Sequence, residues 1–159
     1  MTAAYSLIVG ARGWDHAGWH GIFYPDDLPV DWRLSYYANE FAGVLVPEAV
    51  WRAADPVEIK HWCGDVADGF LFFLETAVTP LPDRLNVVYR DLFEAHWGGV
   101  PLTEAVMSNE EKWDLRQLRE RFTNLRESSR GMTAPGFFLT GEPPDIDRLR
   151  EAKLLAELL

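Results

Sequence analysis

The stretch DPVEIKHWCGDVADGFLFFL, residues 55–74, contains a complete helix signal followed by a strand signal. Asp55 is followed by proline and, three residues on, by Glu58, a pattern typical of a capped helix start with proline in its first turn. Gly64 is expected to end this helix. Residues 70–74 are apolar at every position, which favours a short strand covered on both faces. This stretch therefore predicts a helix that leads into a buried strand.

The residues before this stretch show the same alternation. Residues 7–10 (LIVG) form a short apolar run that ends at glycine, and residues 44–46 (VLV) form a second one that Pro47 stops. Between these runs, with Asp31 as the predicted cap, apolar residues recur at helical spacing: Leu34, Tyr37, Ala38 and Phe41. Strands that alternate with helices are typical of βαβ units in a parallel sheet.

Two more helices are predicted further along the chain. A helical period covers residues 85–96 and is expected to end at Gly98. Ser108 followed by Glu111 forms a capping box, which predicts the start of a long helix that reaches about Glu127.

A fourth strand and a last helix complete the pattern. Residues 136–141 (GFFLTG) form a short apolar run after a proline, and a helix from residue 146 follows. We therefore predict one α/β domain over residues 1–159, built from four parallel strand-helix units. The length of 159 residues is too short for a complete (β/α)₈ barrel, which has about 250 residues.

The composition excludes several classes of protein. With 15 Lys and Arg against 25 Asp and Glu, the net charge of −10 disfavours binding to nucleic acid or to a membrane surface. Cys63 is the single cysteine, so neither a disulfide framework nor a thiolate metal site is expected. No long apolar run, basic leader or nucleotide-binding glycine motif occurs, so we expect a cytoplasmic protein without a cofactor.

Residues 10–25, GARGWDHAGWHGIFYP, carry a family resemblance. They resemble the opening of the family catalogued as domain of unknown function 72, which reads roughly G-T-S-G-W-x-Y-x-x-W-x-G-x-F-Y-P. The resemblance continues to about residue 79. It implies a TIM-type barrel of unsettled biochemical role, of which this chain resembles the N-terminal half. The expected architecture is half of such a barrel, or an open parallel sheet.

The resemblance also implies where a site would lie. Barrel active sites lie at the carboxyl ends of the strands, so residues 12–19, 47–52 and 75–79 are expected at one rim. Relatives commonly carry an acid where this chain has Leu45 and a lysine where it has Glu75. These departures imply a protein of reduced catalytic capacity.

The candidate ligand-binding residues follow the predicted strands. Arg12 and Asp15 are expected to hold a small polar ligand against a tryptophan face, or else the aromatic residues plug the sheet end and the charges decorate the loop. Arg52 either clamps an anion or pairs internally with Glu48 or Glu75. No metal site is predicted. The ligand-binding candidates are Arg12, Trp14, Asp15, His16, Trp19, Tyr24, Trp51 and Arg52.

Two functions remain open. One is a binding or self-associating module, in which a homo-oligomer covers the open sheet edges. The other is an enzyme, an isomerase, lyase or hydrolase, that acts on a small sugar or phosphorylated metabolite. In this alternative Glu48 or Glu75 is the general base. Arg12, Arg52 and Glu75 around one pocket would favour the enzyme.

Overall fold

The computed structural model describes residues 6–78, 80–128 and 134–159. Within these ranges it contains six short strands and six α-helices, with four 3₁₀ turns. The strands are β1 Ile8–Ala11, β2 Gly43–Val46, β3 Leu71–Leu74, β4 Trp97–Gly99, β5 Val106–Ser108 and β6 Gly136–Thr140. The helices are α1 Arg33–Glu40, α2 Glu48–Ala53, α3 Pro56–Gly64, α4 Asp83–Phe93, α5 Leu115–Ser128 and α6 Ile146–Glu157.

All strand pairs are parallel and form two three-stranded sheets, in the orders β1-β6-β5 and β2-β3-β4. The two sheets meet where β1 and β2 end. The N–H of Gly13 donates to the carbonyl of Leu45 at 2.8 Å, and Arg12 forms a single parallel bridge with Leu45. The spatial order is therefore β5-β6-β1-β2-β3-β4. The predicted α/β class with an open parallel arrangement is confirmed, and the described residues form no closed barrel.

A tyrosine hydroxyl lies between the last residue of β1 and the first residue of β2. The Tyr37 hydroxyl, from α1, accepts the N–H of Ala11 at 2.8 Å and donates to the carbonyl of Gly43 at 2.7 Å. Tyr37 is fully buried, and burial raises its pKa, so the hydroxyl keeps the proton that it donates. A Cβ atom at Gly10 would lie 2.1 Å from the Gly43 carbonyl oxygen, so this position requires glycine. One hydroxyl thus replaces the missing strand-to-strand hydrogen bonds.

The sheet curves around one face, its concave side, because Phe73 on β3 and Phe138 on β6 touch across the two strands between them. Three large side chains fill this side. Leu45, Phe73 and Phe138 form a buried cluster of their own, and the rings of Phe73 and Phe138 lie 4.8 Å apart. Added Cβ atoms at Gly98 and Gly136 would come within 2.9 and 2.7 Å of these rings. The glycines therefore make room for the phenylalanines. The concave side does not require a second copy to cover it, and the expected homo-oligomer stays a prediction.

The opposite faces of the strands pack against the helices in the main core. β1, β2, β3 and β6 each contribute two alternate residues to it, as the period of two requires, and β5 contributes one. The strand residues of this core are Val9, Ala11, Val44, Val46, Phe72, Leu74, Met107, Phe137 and Leu139. The strands are thus buried on both faces, which explains their continuous apolar sequences.

Two strands were not predicted from the sequence. Gly98, which was expected to end a helix, belongs to β4, and the preceding helix α4 already ends at Phe93. Ser108, the expected helix cap, is the last residue of β5. Strands of three residues contain too few positions to show a periodicity, so they depend on pairing with β3 and β6.

The starts of two helices also differ from the prediction. Helix α5 begins at Leu115, where the Asp114 carboxylate accepts the N–H groups of Arg116 and Gln117 at 2.9 and 3.2 Å. Asp31 lies inside a 3₁₀ turn that precedes α1 and does not cap that helix. The boundary of α5 is thus set by Asp114 and not by Ser108. The boundary of α1 is set by the 3₁₀ turn that contains Asp31.

The outer edge of β5 is covered by side chains. The Arg121 guanidinium, from α5, donates to the carbonyls of Glu104 and Val106 at 2.7 and 3.0 Å. The Glu111 carboxylate accepts the N–H of Ser108 at 2.8 Å. Of these groups, the Val106 carbonyl and the Ser108 N–H belong to β5 and point away from β6, so both are satisfied on the free side of the strand.

In the described parts of the chain, every helix is too short or too polar to cross a membrane.

Candidate functional site

A cleft of about 370 Å³ lies between the loop that follows β1 and helix α3. Gly13, with φ of +79°, turns the chain at the end of β1 and places the next residues along the cleft. The apolar lining consists of Trp14, Val30, Leu34, Pro47, Val50 and Trp62. The polar lining consists of Arg12, Asp15, His16, Asp31, Glu58, His61 and Asp65.

Two tryptophans form the aromatic wall of this cleft. The rings of Trp14 and Trp62 lie 5.1 Å apart with an angle of 81° between their planes. Both rings also lie close to Phe72 on β3, at 6.2 and 6.3 Å. Trp14 packs edge-to-face on the other two rings, Trp62 and Phe72 are stacked, and both arrangements are favourable and hold the rings in place. The wall is therefore rigid and anchored in the core.

Arg12 and Glu75 form an ion pair across the ends of β1 and β3. The Arg12 Nη2 donates to Glu75 Oε1 at 2.9 Å, and Nε donates to Oε2. The backbone N–H of Glu48 also donates to Glu75 Oε1, at 3.3 Å. The hydrogen bond from Arg12 lowers the pKa of Glu75, and the same bond raises the pKa of Arg12. Both groups are therefore charged and satisfied by each other.

Glu48 forms a separate ion pair at the start of α2. Its Oε1 accepts the N–H of Ala77 at 2.8 Å, and its Oε2 accepts from the Nε of Arg52 at 2.7 Å. The Ala77 N–H and the Arg52 guanidinium lower the pKa of Glu48. The Arg52 guanidinium also lies over the Trp51 ring, 4.5 Å from its centre. Of the two predicted roles of Arg52, the structure contains the internal pair with Glu48.

We expect Glu75→Gln to reduce the free energy of unfolding at pH 7 by roughly 0.5–1 kcal/mol, because a partly exposed ion pair is screened by solvent. The pKa of Glu75 is lowered by folding, so its contribution is full above the ordinary carboxyl pKa and is lost as the pH falls through the folded value. The difference between wild type and variant should therefore shrink below pH of about 4. Urea denaturation at pH 7, 5 and 3 measures it.

Glu104→Gln is the matched control, because this exposed carboxylate forms no ion pair among the described residues. Its effect on unfolding should vary less with pH than that of Glu75→Gln. A Glu75→Gln difference that stays constant from pH 7 to pH 3 would show that the ion pair does not contribute to stability.

Asp15 and His16 are oriented by neighbours on the loop after β1. The Asp15 carboxylate pairs with the guanidinium of Arg33. His16 Nε2 lies 2.8 Å from the carbonyl oxygen of Arg12, and burial lowers the pKa of the imidazole. The His16 ring packs edge-on against Trp19, with centroids 4.5 Å apart. Both side chains line the cleft in defined orientations.

The other predicted aromatic residues lie in the core. The indole N–H of Trp19 donates to the Pro144 carbonyl at 2.9 Å, and the indole N–H of Trp51 donates to the Glu75 carbonyl at 2.7 Å. The Tyr24 hydroxyl donates to the carbonyl of Trp14. All three side chains are almost completely buried, and none lines the cleft. Their polar atoms tie loops together at the carboxyl end of the sheet.

The structure thus brings together part of the predicted site. Among the eight ligand-binding candidates, Arg12, Trp14, Asp15 and His16 line the cleft, whereas Trp19, Tyr24, Trp51 and Arg52 do not. Glu48 and Glu75, the candidate catalytic residues, also lie outside its lining. The expected rim segment 75–79 is described as far as residue 78, and Thr79 lies outside the described residues.

One side of the cleft was missed by the sequence reasoning. Helix α3 contributes Glu58, His61 and Trp62, and Asp65 directly follows the helix; these residues recur at spacings of three, one and three. This spacing places them on one helical face. The spacing is the sequence signal that could have identified these residues as part of one site. Within the described ranges, no three His, Cys, Asp or Glu side chains are arranged to bind a metal ion.

Residues 8–79 match the model of a family described as a protein of unknown function, DUF72. The match confirms the family resemblance over the N-terminal part of the chain, which includes β1 to β3 and all the residues that line the cleft. No curated protein matches the chain, and no solved structure matches it.

Proposed function

We propose, from the family match of residues 8–79 and from the cleft, that this chain is a binding module for a small molecule. The observation that carries this proposal is the grouping of Arg12, Trp14, Asp15 and His16 in one cleft of about 370 Å³. Small-molecule sites are typically hollows of about 300–1,000 Å³ with a mainly apolar lining and a few polar groups. Here the aromatic wall supplies apolar surface, and the charged side chains of the polar lining supply the polar groups.

The cleft is built for binding because its apolar wall is fixed before a ligand arrives. Trp14 and Trp62 pack against each other and against Phe72, so they lose little freedom when a ring is placed on them. Val50 is 39% exposed and forms part of the opposite lining. A ligand ring would remove this apolar surface from water, which favours binding.

Catalysis by the two candidate carboxylates is less well supported. A general base is most effective when its pKa lies near the working pH. Glu48 and Glu75 have lowered pKa values, and their oxygens accept hydrogen bonds from Arg52, Ala77 and Arg12. Both are therefore weak bases. Arg12 likewise uses two of its donors on Glu75, which reduces its capacity to clamp a phosphate.

The proposal predicts that filling the cleft prevents binding. We expect benzyl alcohol, a neutral ring with one hydroxyl, to shift the indole N–H signals of Trp14 and Trp62 in a saturable manner in a ¹H–¹⁵N titration. Val50→Trp places a large ring at the cleft, where it occupies the volume that the ligand needs. The apparent affinity for benzyl alcohol, measured from these shifts, should fall at least about tenfold. The signals of the buried Trp19 and Trp51 should not move.

Val57→Trp is the matched control. Val57 is 77% exposed on α3 and does not line the cleft, so this variant should bind benzyl alcohol like the wild type. Equal binding by Val50→Trp and wild type would contradict the proposed binding site, as would the absence of a saturable shift of Trp14 and Trp62 with benzyl alcohol and with its charged analogues benzylamine and benzoate.

A further inference from the structure

We infer that the ligand of this cleft is a small organic cation that carries an apolar ring. The inference rests on the proposed binding function and specifies its ligand class. It follows from three observations on the described residues: the charges that line the cleft, the ion pairs that these charges already form, and the aromatic wall beside them.

The first observation is the balance of charge. Four carboxylates line the cleft, Asp15, Asp31, Glu58 and Asp65, against one guanidinium, that of Arg12. A hollow lined mainly by one sign of charge concentrates ligands of the opposite sign. The lining therefore favours a cation and repels carboxylates and phosphates.

The second observation concerns which of these charges are already paired. Arg12 is bound by Glu75 through two hydrogen bonds, and Asp15 is paired with Arg33. For Asp31, Glu58 and Asp65, no Lys, Arg or His nitrogen within the described ranges lies within 4.0 Å. The cationic side chain of the lining is thus neutralised, whereas three carboxylates keep their charge available.

The third observation is the aromatic wall. Trp14 is partly exposed at the cleft, and the buried Trp62, only 7% exposed, packs against it at 81°. A cation close to an indole face is attracted by its π electrons, and tryptophan is the strongest of the aromatic residues in this respect. An apolar ring attached to the cation would pack on Leu34 and Val50. The lining thus fits an organic cation better than a bare metal ion.

A neighbouring groove gives such a ligand room to extend. The groove shares Asp31, His61 and Asp65 with the cleft and continues along α1 past Trp32 and Ser35. The shared residues lie where the two hollows meet. A charged group placed there would contact Asp31 and Asp65 while its ring remained against the tryptophan wall.

Three probes with the same ring test the sign of the charge. Benzylamine, benzyl alcohol and benzoate are titrated at pH 7.5 against the ¹⁵N-labelled protein, with the indole signals of Trp14 and Trp62 as the readout. We expect benzylamine to bind about tenfold more tightly than benzyl alcohol, and benzoate to bind more weakly than either. Added NaCl should reduce the advantage of benzylamine, because salt screens exposed charges.

Asp31→Asn and Asp65→Asn identify the carboxylates responsible. Each should weaken benzylamine binding about two- to fivefold, the effect of one exposed ion pair, and leave benzyl alcohol unchanged. Asp68→Asn is the matched control, since Asp68 is exposed and lies outside the cleft lining, and it should change neither affinity.

The outcomes separate this inference from the proposal on which it rests. Benzyl alcohol or benzoate binding as tightly as benzylamine at Trp14 and Trp62 would overturn the cationic ligand and leave the binding site intact. Benzylamine affinity that does not change in Asp31→Asn and Asp65→Asn would also overturn it. If none of the three probes shifts these signals in a saturable manner, the proposed binding function fails as well.

Discussion

Phe138→Ala is expected to lower the free energy of unfolding by about 3–5 kcal/mol, the range for truncating a buried phenylalanine. The Phe138 side chain is completely buried on the concave side of the sheet and packs against Phe73 at 4.8 Å. Phe138 lies on β6, and parallel hydrogen bonding joins β6 to β1 and β5. These strands are therefore held in place. They cannot close inward to fill the cavity, so the cost should lie in the upper part of the range. Chemical denaturation followed by circular dichroism measures it.

Val87→Ala serves as the control for this substitution. Val87 lies on α4 and is 46% exposed, so its truncation should change the free energy of unfolding by no more than about 0.5 kcal/mol. A Phe138→Ala cost below about 1 kcal/mol would mean that the concave side is not a packed interior, and that the strands enclose less apolar volume than the structure shows.

Tyr37→Phe is expected to cost about 2–4 kcal/mol, although it removes a single oxygen atom. That oxygen accepts from the N–H of Ala11 and donates to the carbonyl of Gly43. Both backbone groups are buried, and each would lose its partner at a cost of about 1–3 kcal/mol. Equilibrium denaturation gives the total, and faster hydrogen exchange at the Ala11 amide would locate the loss between β1 and β2.

The adjacent Tyr36→Phe provides the comparison. Tyr36 lies on the same helix, is only partly buried and packs on Phe23, contacts that its ring keeps in the variant. We expect a change within about 0.5 kcal/mol. If Tyr37→Phe cost no more than Tyr36→Phe, water or a shifted strand would have to satisfy Ala11 and Gly43, and the hydroxyl would not stabilise the contact between β1 and β2.

The N-terminal half of the fold was predictable because its signals are local. The Asp55 carboxylate accepts the N–H of Glu58 at 2.9 Å, so α3 begins as the sequence indicates. The apolar run that follows forms β3 over Leu71–Leu74. In both cases neighbouring residues supply the stabilising contacts, and no knowledge of distant residues is needed.

The two short strands were not predictable for the opposite reason. β4 contains Trp97 and two glycines, and no local preference of glycine favours a strand. Gly98 is required because the Phe73 ring lies against it, a contact between residues far apart in sequence. The strand forms because β3 supplies a partner. Contacts of this kind become visible only when the sheet is assembled.

In the candidate site, too, the features that depend on local sequence were predictable, and those that depend on distant residues were not. Arg12, Trp14, Asp15 and His16 follow a strand directly, so their place near the carboxyl end of the sheet was predictable. The pairing of Arg12 with Glu75 was not predictable, because it joins residues that are 63 positions apart in the sequence. The contribution of α3 to the cleft depends on how that helix lies against the loop after β1. Sequence periodicity identifies such a helical face but not its neighbour.

The covered edge of β5 has a consequence for association between molecules. An exposed strand edge is a template on which another chain can add a strand, and such addition leads to domain swapping or fibril growth. Arg121 and Glu111 already occupy the Val106 carbonyl and the Ser108 N–H that an incoming strand would need. A homo-oligomer formed by strand addition would therefore have to use another edge, and β5 is protected against aggregation by two side chains of opposite charge.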